Sequence, residues 1–243
     1  MKSVLKFIVG LALLAYLVLA VTKFRKGENT EACSGVDIEV TDSSKAAFIS
    51  ANEVRVLLER KHLYPEGIPM NRIRSTEIEK ALKAHQFILD AQCYKTADNV
   101  VHVKVSQRLP VMRIMSCNGS DFFIDGNGKR MSRIHYPADV VIATGAITPT
   151  YAHRYLASIG NYLQKNDFWN SQIEQLNVLS DGSVEMIPRV GNHIVYLGAP
   201  IKVDRKLNRL KAFYEKVLCK VGWNKYNRID VEFGNQIVCT KKE

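Results

Sequence analysis

The sequence predicts an α+β chain in two parts behind a single apolar N-terminal helix. Three observations carry this. Met1 to Thr22, MKSVLKFIVGLALLAYLVLAVT, is charged only at Lys2 and Lys6. Residues 35–107 read strand, helix, helix, strand, strand. From residue 108 short alternating segments recur between turn dipeptides, with two helical stretches among them, as in a larger and mainly antiparallel β domain with flanking helices.

Residues 4–22 supply about the 20 apolar positions that a bilayer span requires, with Lys6 snorkelling. A transmembrane helix is expected there, after a cytoplasmic tail of residues 1–6. Val18-Leu19-Ala20 also fits signal-peptide cleavage, so a secreted form stays open. Lysines and arginines on both flanks leave the positive-inside rule undecided, and the large C-terminal part argues for an external body. Residues 23–34, polar and carrying Gly27, make a tether.

Val36, Ile38 and Val40 alternate with polar residues as a first strand. Ser50 and Glu53 form a capping box for a helix to about Lys61, and Thr76 with Glu79 a second, for a helix to about His85. Ile88–Lys95 and Val100–Gln107 are strands around the turn Ala97-Asp98-Asn99. Gln107, Arg108, Leu109 and Pro110 then form an interdomain joint, because Pro110 lacks a ladder donor and suits a connection better than a strand interior. Beyond it come a Phe122 strand between two turns, a short strand at Val140–Ala143, a helix over Tyr151–Lys165 and an apolar anchor, Phe168-Trp169. Ile173–Val178, Ser183–Pro188 and His193–Leu197 form a meander. A helix over Asp204–Lys220 leads to the final RIDVEFGNQIVCT, whose Gly234-Asn235 centre is a hairpin or a bulge.

The net charge of +10 is spread, and selects no nucleic-acid patch. Five cysteines lack any C-x-x-C spacing, although Cys219 and Cys239 would pair if the last strand meets the preceding helix. Six histidines on unrelated elements include no H-E-x-x-H, and no phosphate-cradling or nucleophile-elbow motif is present. Asp121, Asp125 and Asn127 beside Gly128 are out of register for a calcium loop. No cofactor, metal, small-molecule substrate or catalytic residue is expected.

Gln107-Arg108-Leu109-Pro110-Val111, Phe123-Ile124-Asp125 with Gly128, Ala143-Thr144-Gly145, Trp169 and Ile173 before Asp181-Gly182, Ile194 to Gly198, Lys206-Leu207 with Arg209-Leu210, and Asn235 to Val238 occur in an order that resembles the bacterial cell-division family FtsQ, also called DivIB. The tether with Cys33 and the QIVC ending are similar to Bacteroidota versions. The resemblance implies a POTRA domain at 35–107 and a β domain at 108–243. It implies a non-enzymatic, single-pass inner-membrane scaffold with a cytoplasmic N-terminus and a periplasmic body at the septum. Its partners would be FtsB, which travels with FtsL, received at the end of the β domain. Carried onto this chain, the contact residues are Tyr226, Ile229, Val231, Phe233, Gln236, Ile237, Val238 and Cys239, with Lys206, Arg209 and Lys216 as a charged rim. From the residues alone, Ile229, Val231 and Phe233 face either a partner or the core, and Arg72 and Arg74 are solvated or touch another partner. A tethered cell-wall enzyme and a POTRA-type chaperone module are the alternatives.

Overall fold

The computed structural model describes residues 10–19, 30–41, 48–132 and 138–242. Residues 10–19 form helix α1 with Leu13, Leu14, Tyr16 and Leu17 exposed. The rest of the expected 4–22 span lies outside the described residues. Among those described, no helix is long and apolar enough to cross a membrane.

Chain contacts separate two compact units. The first contains Ala51–Leu82 and Ala91–Val105 with the described part of residues 1–39, and the second contains Val40–Ser50, Lys83–Asp90 and Ser106–Glu243. By chain contacts, the described residues of 40–50 and 83–90 group with the later residues.

The small sheet has the order β1-β3-β2, from β1 (Gly35–Thr41), β2 (Ile88–Lys95) and β3 (Val100–Gln107). Helices α2 (Ala51–Arg60) and α3 (Ser75–Lys83) complete the expected order. Val54 and Leu58 of α2, and Ile78 and Leu82 of α3, are i,i+4 pairs that bury one stripe of each helix. On β3, Val101, Val103 and Val105 are buried while Lys104 is exposed, as alternation requires. The polar face of β3 is bonded across to β1: His102 Nδ1 lies 3.0 Å from Asp37, and Lys104 lies 3.4 Å from Glu39. Helix α3 starts one residue before Thr76, so Thr76 sits in the first turn and not at the cap.

The large sheet runs β12-β11-β10-β9-β8-β7-β4-β5-β6. Its strands are β4 (Pro110–Ser116), β5 (Asp121–Asp125), β6 (Arg130–Met131), β7 (Ile142–Gly145), β8 (Ile173–Val178), β9 (Val184–Pro188), β10 (Ile194–Gly198), β11 (Tyr226–Asp230) and β12 (Val238–Lys241). Hairpins make most pairings antiparallel, but β7 runs parallel to both β4 and β8, and β10 runs parallel to β11. Parallel neighbours need crossovers, and helices provide those from β7 to β8 and from β10 to β11. Helix α4 is helical over Pro149–Tyr151, π-helical over Ala152–Leu156 and α-helical over Ala157–Gln164. Together with α5 (Asp167–Gln172) it links β7 to β8. Helix α6, α-helical over Val203–Phe213, π-helical over Tyr214–Leu218 and ending with Cys219–Val221, links β10 to β11. Trp169, Leu156, Leu207, Leu210 and Tyr214 from these helices join Met112, Ala143, Leu176, Met186, Val195 and Ile229 from the strands in one core.

The joint is built into this unit. Pro110 opens β4 opposite Asp125, and the first residue of a strand is one position where a missing N–H is tolerated. Arg108 and Asp125 are buried and meet at 2.5 Å, and a second Arg108 nitrogen donates to Ile88 O at 3.1 Å. The other carboxylate oxygen of Asp125 accepts the Asn127 and Lys129 amides at 2.9 and 2.7 Å, closing the β5–β6 turn. Gln107 is buried too: its carbonyl oxygen accepts the amides of Phe48 and Ile49, and its amide nitrogen donates to Thr41 O.

Candidate functional site: an open sheet edge

The final segment of the chain forms two strands of a hairpin, and among the described residues β12 is an edge strand that pairs with β11 alone. Backbone N–H and C=O groups on the outer side of such a strand have no ladder partner, which is the chemistry that β-strand addition uses. Cys239 pairs with Ile229, Val238 with Asp230 and Thr240 with Arg228. Directly opposed residues share a face. Ile229 is fully buried, so Cys239 points inward and packs against the core, while Val238 and Thr240 lie on the outer, exposed face.

The proposed contact residues divide accordingly. Phe233 and Val238 are 49% and 47% exposed, and Gln236 is exposed beside them. Tyr226, Ile237 and Cys239 are half-buried, with part of each side chain on the core. Ile229 and Val231 do not belong to a contact surface: both are 0% exposed, Ile229 on β11, which lies inside the edge, and Val231 just after it, where its amide donates to Tyr196 O. Burial also raises the Cys239 thiol pKa. Cys219 and Cys239 are both free thiols, so the pairing that the sequence left open is not made.

The charged rim is corrected as well. Lys206 is buried, and its ammonium donates to the carbonyls of Leu197 at 2.7 Å and Ala199 at 2.8 Å, where β10 ends. Burial lowers its pKa, opposed by nearby Glu232. Glu232 in turn accepts the Ala199 amide at 3.4 Å, and its carboxylate fills the space in which a Cβ on Gly198 would stand. Arg209 is half-buried and donates to the carbonyls of Val231 at 2.7 Å, Phe233 at 2.5 Å and Gly234. Only Lys216 is a solvent-exposed cation of the kind a rim needs. Lys206 and Arg209 stand three apart on one helix face beside the buried Leu207 and Leu210, and that spacing was the sequence signal for two inward-turned cations.

Beside the edge, Arg228 on β11 reaches Glu185 on β9 at 2.7 Å and lies over the Tyr196 ring at 4.6 Å. The polar line continues from Glu185 to Asn177, Thr144 and Gln175. Under β10, His193 is 2% exposed and meets the Tyr214 hydroxyl at 2.8 Å, with Trp223 adjacent. Burial lowers the His193 pKa and raises that of Tyr214. These groups are enclosed and stabilise the sheet end. Among the described residues no group of three His, Cys, Asp or Glu is placed to hold a metal ion.

A small three-stranded α+β unit and a nine-stranded mixed sheet that ends in an edge strand define a two-module α+β protein. Residues 109–240 match the family described as FtsQ/DivIB, C-terminal related, and residues 31–106 match the POTRA-like domain. The chain belongs to the FtsQ/DivIB C-terminal related family, a family of cell-division scaffolds. The two matches leave only residues 107 and 108 between them, at the joint. No curated protein matches the chain.

Proposed function

We propose that this protein is a bitopic, non-enzymatic division scaffold whose strand β12 takes up a strand of FtsB, which travels with FtsL, outside the inner membrane. The observation that supports this most is the position of β12 at the edge of the nine-stranded sheet, with Phe233 and Val238 exposed beside it. Backbone pairing supplies affinity in such a complex, and the side chains on alternate positions select the incoming sequence. In this reading α1 is the middle of a membrane anchor over residues 4–22, the N-terminus is cytoplasmic and the body periplasmic at the septum. Phe233, Gln236, Val238, Thr240 and Lys216 are the reachable contacts, and Tyr226, Ile237 and Cys239 support them from below.

Lys241→Pro in the full chain removes one outward-facing donor of the exposed strand, since the Lys242 amide donates inward to Lys225 O and neighbouring amides of a strand face opposite sides, and Val238→Asp places a charge on the exposed face. Either variant should lose co-purification with FtsB and FtsL while circular dichroism is unchanged. Full retention of both partners by the two variants overturns the reading.

A further inference from the structure

The segment Val231 to Ile237, which joins β11 to the edge strand, contains Gly234 and exposed Phe233, Asn235 and Gln236. Between buried Val231 and half-buried Ile237, the stretch 233–236 is exposed, and an edge strand of four residues, Val238–Lys241, gains little from its own pairing. One guanidinium crosses this gap. Arg209, on a helix anchored in the core by Leu207 and Leu210, aims its two terminal nitrogens at the carbonyls of Val231, Phe233 and Gly234. Three carbonyls of one loop converging on one cation is an arrangement that a planar, multiply donating guanidinium satisfies and a solvated rim charge does not. Lys206, one turn earlier, treats the end of β10 in the same way through Leu197 and Ala199.

We propose that Arg209 is a positioning residue: a latch that fixes the loop before β12 and so presets the edge for an incoming strand, without itself touching the partner. This rests on the docking reading above. A preset edge avoids the ordering cost that a loose one would impose on association. The Lys206 clamp keeps β10 and its parallel neighbour β11 in register beneath the same loop.

The test uses the full chain, reconstituted with its N-terminal segment, as wild type, Arg209→Ala, Arg209→Ala/Gly234→Ala and Lys220→Ala, the last altering an exposed cation on the same helix. Amide hydrogen exchange in the free protein should rise about tenfold in Arg209→Ala, confined to residues 231–241, and stay at the wild-type level in Lys220→Ala. Affinity for the membrane-proximal FtsB segment should fall by about tenfold, mainly through slower association. A Cβ at Gly234 meets nothing within 4 Å, so Gly234→Ala stiffens the loop without a clash. It should return about two- to fivefold of the lost affinity, which loss of a direct contact would not allow. Unchanged exchange in Arg209→Ala overturns the latch, and raised exchange with unchanged affinity overturns its role in presetting the edge. If the wild type shows no affinity for the FtsB segment, the docking reading fails, and the exchange result alone then decides whether the latch exists.

Discussion

Replacing Arg108 with methionine should destabilise the second unit by about 3–5 kcal/mol, because it strands the Asp125 carboxylate in the interior. Both side chains are nearly inaccessible, at 7% and 3%, and they meet at 2.5 Å. The carboxylate keeps its two turn amides after the substitution, but loses its ion pair with Arg108. A buried charge without its counter-ion is what makes the loss large, so neutralising that charge should restore most of it. In Arg108→Met/Asp125→Asn, the asparagine carbonyl still accepts from Asn127 and Lys129, and we expect recovery of at least about 2 kcal/mol relative to the single variant. Urea unfolding read by tryptophan fluorescence measures this directly, since both tryptophans, Trp169 and Trp223, lie in the second unit. A double variant no more stable than Arg108→Met refutes the reasoning, because the cost would then come from lost packing and not from the charge.

Three further outcomes follow from the same geometry. His193 has a folded pKa below its ordinary value of 6.5 owing to burial. The unfolded chain therefore takes up the proton first, so stability is fully present above the unfolded pKa and falls as the pH drops below it. His193→Phe should flatten that slope in urea midpoints measured across pH 5 to 8, and an unchanged slope would exonerate His193. Gly145→Ala should cost more than about 3 kcal/mol or prevent folding, since Gly145 has φ +102° and its Cβ would stand 2.1 Å from Val178 O, and a thermal melt reads the loss. Thiol labelling under native conditions should be fast at exposed Cys117 and Cys219, slower at half-buried Cys239 with its raised thiol pKa, and dependent on unfolding at Cys33 and Cys93. Peptide mapping after a timed pulse reads all five, and Cys33 reacting as fast as Cys219 would contradict its burial.

Much of the fold was legible because its signals are local. Period-2 alternation marked β3 to the residue, the turn at Ala97-Asp98-Asn99 separated it from β2, and turn dipeptides separated β8, β9 and β10. The edge position of the last strand also followed from order along the chain. What the sequence could not show depends on partners distant in sequence. Val140 to Ala143 reads as an ordinary short strand, whereas β7 is Ile142–Gly145, and nothing local says that it lies parallel between β4 and β8. Pro110 suggests a linker until Asp125 is seen across from it. Among the candidate contact residues, Ile229 and Val231 alternate as a surface strand would, and only the depth of β11 and of the residue just after it sends both into the core. Lys206 and Arg209 read as rim charges, and although their spacing beside Leu207 and Leu210 points inward, composition does not reveal the bare carbonyls at the end of β10 and after β11 that receive them.

The parallel pairings set the order in which the large sheet can close. Arg113 meets Ile142, Ile142 meets Gln175 and Ile194 meets Arg228, each across roughly thirty residues, whereas β4–β5, β8–β9 and β11–β12 are neighbours along the chain. Hairpins form in microseconds, and crossovers must first close long loops. The hairpins, the terminal β11–β12 pair among them, are thus quick to assemble, and the insertion of β7 between β4 and β8 is the slow event. During that interval β7, destined for the middle of the sheet, carries two open sides, so a chain still folding is most exposed to aggregation at its centre and not at the edge it keeps open once folded.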